Sequence, residues 1–189
     1  MVNQKTFVVL GNYRGGTSVV MGLLQKLGLF IGNNLDNGDK EEYSNYEDLE
    51  FQKAKIEDMP IEERNKNHDE WGFKDPLTIQ RIEKIYPLLR NPHLICVFRD
   101  PWSTTQSMLR HNSPYTRESI FKTNLAMNNK MAVLVWNTEE VLSEQCPVLP
   151  VSYEAVVRYP EREVKHLARF LGVSLDEELL QKCTNLIQK

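Results

Sequence analysis

Short apolar strands alternating with amphipathic helices predict an α/β fold with a parallel sheet covered by helices on both faces. Three observations carry that expectation. The runs 7–10 (Phe-Val-Val-Leu) and 93–98 (His-Leu-Ile-Cys-Val-Phe) are short and apolar, as buried strands are. Each is followed by residues with helical period. The chain has 189 residues, 41% hydrophobic and 26% charged, enough for one buried core and too apolar for disorder. It reads as one domain spanning 1–189, with 33–69 as an insertion or loop region.

The elements follow in order. Gly11 ends the first strand, and from Thr17 onward Val20, Leu23, Leu24 and Leu27 fall at helical spacing, with Gly28 as the stop. Residues 33–69 are polar, with helix expected around 47–56 and loop elsewhere. Trp71 to Lys74 resumes regular structure. Asp75-Pro76 then opens a helix, Asp as N-cap and Pro at the first turn, with Ile79, Ile82, Ile85 or Tyr86, and Leu89 on its stripe. The strand 93–98 ends at Arg99, and Asp100-Pro101 caps a helix carrying Trp102, Thr105, Met108 and Leu109. A long helix is expected over 118–142, with Phe121, Leu125, Ala132 and Trp136 inward. Pro150 demotes the strand 147–151 to an edge or a strand end. Val164, Leu167, Ala168 and Leu171 mark a helix closed by Gly172, and Leu180, Cys183 and Ile187 a last one.

Composition excludes several function classes. Net charge is −3, which gives no global attraction to nucleic acid or anionic membrane. No apolar stretch reaches the ~18 residues of a membrane helix, and the first residues lack a signal-peptide pattern. Cys96, Cys146 and Cys183 are too few and scattered for a disulfide framework or zinc site, which points to a reducing, cytoplasmic setting. An anionic ligand must therefore be held by a few locally placed basic groups.

Such groups converge where ligands bind in parallel sheets, beyond the carboxyl ends of the strands. The loop Gly11-Asn-Tyr-Arg-Gly-Gly-Thr-Ser18 nearly matches G-x-x-x-x-G-K-[ST], but Thr17 fills the lysine slot and Arg14 comes earlier. Glycines and a helix N-terminus suit phosphate or sulfate equally, and an ordinary strand-to-helix turn is the bland alternative. No acidic strand end for magnesium is evident. Lys74-Asp75-Pro76 and Arg99-Asp100-Pro101 share a layout: a basic residue at a strand end, then a capping Asp worth ~1 kcal/mol. Ser107 lies eight residues after Arg99, about two helical turns on, where it can share an anion with it.

Taken together, these residues resemble the sulfotransferases that use 3′-phosphoadenosine 5′-phosphosulfate. Arg14-Gly15-Gly16-Thr17-Ser18 is similar to the family's 5′-phosphosulfate loop, and Val97-Phe98-Arg99 followed by Ser107 to its 3′-phosphate motif. Lys74-Asp75-Pro76 resembles an element of several branches, the tyrosylprotein and many bacterial members among them, and Tyr46-Glu47-Asp48 is similar to one that bacterial members often carry. Ser152-Tyr153-Glu154 and Phe170-Leu171-Gly172-Val173 resemble the family's C-terminal region. The resemblance covers nearly the whole chain, which is short for the family and lacks the Arg-Lys-Gly segment of its small-molecule branch. It implies a three-layer α/β/α fold, P-loop NTPase-like.

The resemblance also implies roles. Arg14 and the amides of Gly15, Gly16, Thr17 and Ser18 would hold the 5′-phosphosulfate. Arg99 and Ser107 would hold the 3′-phosphate, and Lys74 would neutralise charge on the transferred group or leaving oxygen. Glu47 is the expected base; His68 is second, with Asp36, Glu41 and Glu42 open. His93, His111 and His166 read as structural or exposed. Trp71, Trp102 and Trp136 read as core, one of them available to stack on adenine. The implied co-substrate is 3′-phosphoadenosine 5′-phosphosulfate, leaving as adenosine 3′,5′-bisphosphate with no metal required. The implied acceptor bears a hydroxyl (or amine) on a small molecule, saccharide or lipid. A P-loop nucleotide or small-molecule kinase, and a non-catalytic nucleotide-binding protein, are the competing readings.

Overall fold

The computed structural model describes residues 4–36, 45–52, 55–76 and 78–187. Its strands are β1 (Lys5–Gly11), β2 (Leu35–Asp36), β3 (Glu47–Asp48), β4 (Glu70–Lys74), β5 (Pro92–Phe98) and β6 (Val148–Ser152). Four of them form one parallel sheet in the order β4-β1-β5-β6, and β2 and β3 pair antiparallel as a short ribbon. In register, Val9 lies opposite Lys74, and Gly11 opposite Val97. Pro150 sits in β6, at the sheet's edge, where its missing N–H costs least.

The helices are α1 (Thr17–Lys26), α2 (Leu49–Gln52), α3 (Ile61–Asn67), α4 (Thr78–Ile85), α5 (Pro101–Arg110), α6 (Arg117–Trp136), α7 (Thr138–Leu142), α8 (Tyr153–Arg158), α9 (Pro160–Leu171) and α10 (Glu177–Ile187). Strand side chains alternate between faces, so both faces of β1 must be apolar to be buried. Phe7 and Val9 pack with Val20, Leu24, Val164 and Leu167 of α1 and α9. Val8 and Leu10 pack with Ile79, Ile82, Met131 and Leu134 of α4 and α6. The helix after β1 and those after β5 thus cover opposite faces. A crevice opens where they diverge, at the carboxyl ends of β1 and β5.

Helix ends follow the expected chemistry. Gly28, at φ +97°, closes α1: its N–H bonds Gln25 O, and Leu29 N–H bonds Leu24 O, a Schellman pair. The Asp100 carboxylate accepts from Ser103 N–H at 2.7 Å, with Pro101 opening α5. Asp75 and Pro76 were expected to cap and open a helix; α4 begins at Thr78, whose N–H reaches the Asp75 carbonyl at 2.8 Å, and the Asp75 carboxylate meets Arg81 at 2.7 Å.

Several expectations require correction. The 118–142 helix breaks at Asn137, whose side chain accepts from Glu140 N–H and starts α7 separately. Its inward face is also different: Ile120, Asn124, Met131 and Leu134 are buried, whereas Leu125 and Ala132 are exposed. Trp136 is 90% exposed and Trp102 half-exposed, so only Trp71 belongs to the core. The 47–56 helix is the strand β3, the single turn α2 and a 3₁₀ turn, Ile56–Asp58. Helices α3 and α8 had no sequence expectation. No described helix is long and apolar enough to cross a membrane.

Candidate functional site

The glycine loop leaves β1 at the sheet's carboxyl end. Gly15 N–H closes the turn onto Asn12 O at 2.9 Å, so this amide is engaged within the loop. Arg14 takes φ +59° and Gly16 φ +90°, left-handed values that a side chain tolerates poorly. At Gly16 a Cβ would also lie 2.1 Å from the Tyr153 ring, so glycine is required on two grounds. Gly16 is the N-cap of α1, and it offers no side-chain cap. The N–H groups of Thr17, Ser18 and Val19 have no partner within the helix and face the crevice with the positive end of its dipole.

Arg99 leaves β5 beside this loop. Its Nη1 donates to Arg14 O at 2.7 Å, and its guanidinium lies 4.5 Å from the Tyr153 ring centre. Its Nε is buried with no hydrogen-bond partner among the described residues. Arg14 reaches the same place: Nε donates to Ser107 Oγ at 3.3 Å, and Nη2 lies 2.7 Å from His111 Nε2. Ser107 is buried on α5. Arg14, Arg99, Ser107 and His111 therefore form one cluster. Arg14 was expected at the 5′-phosphosulfate end; here its guanidinium lies on the Arg99–Ser107 side.

A buried asparagine network fixes the spacing. Asn12 Nδ2 donates to Asn124 O at 3.2 Å and to Asn128 Oδ1 at 3.0 Å. Asn128 Nδ2 donates to Arg99 O at 3.0 Å, and Asn124 Nδ2 to Thr105 Oγ1 at 3.1 Å. The glycine loop, the Arg99 turn and α5 are all tied to α6. Asn12 and Asn124 are buried in this network, and Asn12 Oδ1 is left with no hydrogen-bond partner among the described residues.

Across the loop, Lys74 ends β4. It is buried, with Nζ 2.8 Å from Glu47 Oε1 and 3.1 Å from Ser18 Oγ. Burial pushes its pKa below the usual lysine value, against the raising effect of Glu47. Gln52 donates to the other Glu47 oxygen. A carboxylate oxygen accepts more than one hydrogen bond, so Glu47 retains capacity for a third partner. A cavity of about 300 Å³ joins Lys74, Glu47, Ser18, Arg14 and Asp36.

Glu47 owes its place to its neighbour. Asp48 is buried and meets Arg64 of α3 at 2.9 Å. Arg64 also binds Glu50 and lies over the Phe30 ring. Asp48→Ala leaves the buried Arg64 charge without its main partner and is expected to cost about 3–5 kcal/mol. For a chain of this size that lowers Tm by roughly 6–20 °C in thermal melts. A shift under 2 °C, on the order of half a kcal/mol, would show that the pair does not hold β3.

Of the alternative bases, His68 stands before β4, six extended residues or about 20 Å from Lys74 along the strand, and stacks on Phe30 at 3.7 Å. It belongs to the opposite end of the sheet. Asp36 lines the cavity, while Glu41 and Glu42 lie outside the described residues. His93 packs on Phe7 and Phe170, as a structural histidine does. His111, set aside in the sequence, reaches Arg14. Asn12, Asn124, Asn128 and Tyr153 were missed as site residues. The spacing of Ile120, Asn124, Asn128 and Met131 was the available signal, a helical stripe running through asparagines.

The sequence pattern of the Sulfotransferase family matches residues 33–177. The match contains Glu47, Lys74, Arg99 and Ser107 and begins after the glycine loop. No curated protein matches the chain in sequence. Its fold is similar to that of a mouse sulfotransferase complexed with PAP, at 15% identity and TM-score 0.62, covering 98% of this chain and 65% of that one. It is similar to the sulfotransferase domain from the curacin biosynthetic pathway, at 16% identity and TM-score 0.63, covering 94% and 77%. A Mycobacterium avium sulfotransferase gives 12% identity and TM-score 0.61, covering 98% and 68%. The chain thus spans about two thirds of the length of the mouse structure, 65%. At these identities the likeness establishes the fold, and it agrees with the family pattern over most of the sequence: the chain belongs to the sulfotransferase family.

Proposed function

We propose that this protein transfers a sulfuryl group from 3′-phosphoadenosine 5′-phosphosulfate to an acceptor hydroxyl or amine. The observation that carries the reading is the junction of two anion-binding elements in one crevice: Arg99 donates to Arg14 O at 2.7 Å, beside the N-terminus of α1. One nucleotide with phosphate at its ribose and phosphosulfate at its 5′ end fits that pair. The unpartnered Nε of Arg99 fits an anion there. The PAP bound to the mouse structure is the product such a donor leaves.

In the proposed reaction the acceptor oxygen attacks sulfur as the bond from sulfur to the 5′-phosphate oxygen breaks. The electron pair leaves with adenosine 3′,5′-bisphosphate, and the acceptor proton passes to the Glu47 carboxylate. Arg99, Ser107 and Arg14 grip the ribose phosphate. The amides of Thr17 and Ser18 meet the 5′-phosphosulfate. Lys74, 3.1 Å from Ser18 Oγ, stabilises charge on the sulfuryl group and leaving oxygen. Catalysis of this kind rests on positioning and electrostatics, as in phosphoryl transfer. A cytoplasmic setting fits the three unpaired cysteines.

Calorimetric titration tests the reading. Adenosine 3′,5′-bisphosphate is expected to bind without magnesium, about 10- to 150-fold more tightly than adenosine 5′-monophosphate, from one charge-assisted contact of about 1.5–3 kcal/mol. Preference for magnesium-ATP makes the protein a kinase. Bisphosphate binding without turnover on any acceptor makes it a non-catalytic nucleotide-binding protein.

A further inference from the structure

Tyr46, the residue before Glu47, is half-buried and has φ +54°, a left-handed value that marks an outlier for a bulky side chain. Such a conformation persists only where its surroundings fix it, and it gathers at functional sites. Here the surroundings are two helices. The Tyr46 ring packs into the core on the α1 side of the sheet. A Cβ built on Gly22 would lie 2.9 Å from two atoms of that ring and 3.0 Å from Leu186 Cδ2. Gly22 is buried in the middle of α1, where glycine is otherwise one of the poorest residues. Its bare backbone is the floor of a notch, with Leu186 of α10 as a wall, and the Tyr46 ring fills it. On the other flank of Glu47, Gly32 leaves matching room for the Asp48 carboxylate.

We infer that Tyr46 is a positioning residue: seated on Gly22, it fixes the Glu47 carboxylate relative to the donor's 5′ end. The inference deepens the sulfotransferase reading and rests on it for the role of Glu47; the seat itself does not. Thr17 and Ser18 open α1, and Gly22 follows Thr17 by about 7.5 Å along the helix axis. One rigid element therefore sets both positions, the donor's by its N-terminus and the base's by the notch. The Asp48–Arg64 pair ties β3 to α3, whereas Tyr46 ties it to the helix on which the donor sits. The β2–β3 ribbon also supplies Asp36 and Glu47 to the cavity wall, with Asn45 just before β3, so a shift of the seat moves the wall with it. Proximity of this kind is sensitive to displacements on the order of 1 Å.

Amide hydrogen exchange tests the seat without relying on turnover. Asn45 N–H meets Asp36 O at 3.0 Å and Leu49 N–H meets Asn34 O at 2.9 Å, so these two amides report whether β3 stays docked. Tyr46→Ala is expected to speed their exchange roughly tenfold or more and to leave the amides of β1 and β5 unchanged. Tyr46→Phe keeps the ring and should exchange like wild type. Gly22→Ala puts a methyl group in the notch and should speed exchange at the same two amides, although alanine suits a helix better than glycine. The link to Glu47 is read from single-turnover consumption of 3′-phosphoadenosine 5′-phosphosulfate, with water and 2-naphthol as probe acceptors. Tyr46→Ala is expected to slow it about 10- to 100-fold, and to slow it no further when Glu47→Gln is already present. Affinity for adenosine 3′,5′-bisphosphate should stay within a few-fold. Unchanged exchange at Asn45 and Leu49 in Tyr46→Ala, faster exchange spread through β1 and β5, or an undiminished loss of turnover in the Glu47→Gln background overturns the inference. If the bisphosphate binds wild type and neither probe takes the sulfuryl group, the role of Glu47 falls and the inference with it. If the bisphosphate does not bind, the sulfotransferase reading falls, and exchange at the two amides alone then decides the seat.

Discussion

Replacing Lys74 by methionine is expected to lower kcat by about 10²–10³-fold while leaving adenosine 3′,5′-bisphosphate affinity within a few-fold, because removing one preorganised donor to a developing oxyanion costs that much. The expectation rests on position and burial. Lys74 ends β4 at the crevice, with its side chain 3% exposed. Water contributes little screening there, so its charge acts strongly on a neighbouring anion. The product nucleotide lacks the sulfuryl group, so its affinity should barely register the change. The pH dependence follows from the same burial, which holds the Lys74 pKa below the usual lysine value. The ammonium is charged below its pKa and neutral above it. The profile of kcat/KM should therefore fall on its basic side at a lower pH than the ~10.4 of an ordinary lysine. Lys74→Arg stays charged throughout that range and should move the basic limb upward. An unmoved limb would assign it to another group. Equal losses of turnover and product affinity in Lys74→Met would make Lys74 a donor-binding residue.

Much of this site was legible because the chemistry sits at strand ends. In an α/β chain, a short apolar run followed by glycine, Lys or Arg places that residue at the ligand edge before any coordinates exist. Gly11, Lys74 and Arg99 obey this, with β1 flanked in register by β4 and β5. The 3.6-residue period placed Ser107 near Arg99 for the same reason. What stayed hidden depends on tertiary contacts. Residues 118–142 offer an apolar stripe through Phe121, Leu125, Ala132 and Trp136. Hydrophobicity favours turning it inward, yet α6 turns Asn124 and Asn128 toward the glycine loop and the Arg99 turn and leaves Trp136 at 90% exposure. A helix covering a polar crevice needs amides on its inner face, and a periodicity test reads that face as the outer one. Glu47 has a related explanation. Its short ribbon has almost no strand propensity and is held by the Asp48–Arg64 pair, a contact between residues sixteen apart. Arg14 shows the remaining limit: sequence places its backbone in the loop, but only the fold determines which way a long, flexible side chain reaches.

Arg99→Ala should weaken adenosine 3′,5′-bisphosphate about 10- to 150-fold, the equivalent of about 1.5–3 kcal/mol for a charge-assisted hydrogen bond. The more informative quantity is the difference between two ligands. Adenosine 5′-phosphosulfate carries the 5′-phosphosulfate of the proposed donor and no 3′-phosphate. If Arg99 acts on the 3′-phosphate directly, the variant should lose affinity for the bisphosphate and keep its affinity for the phosphosulfate within about threefold, under 1 kcal/mol. Arg99 has a second task in the structure, since Nη1 holds Arg14 O and the guanidinium covers Tyr153, which itself packs against Gly16. A residue that served only to shape the loop would weaken both ligands equally when removed. Arg99→Lys separates the two tasks further. It keeps the charge for the phosphate but loses the planar fork that reaches the Arg14 carbonyl and stacks on Tyr153. Partial recovery for the bisphosphate, with the phosphosulfate unaffected throughout, assigns the charge to the phosphate. Equal losses for both ligands that lysine does not restore would make Arg99 a positioning residue, and the preference for a 3′-phosphorylated donor would then have to come from Ser107 and Arg14.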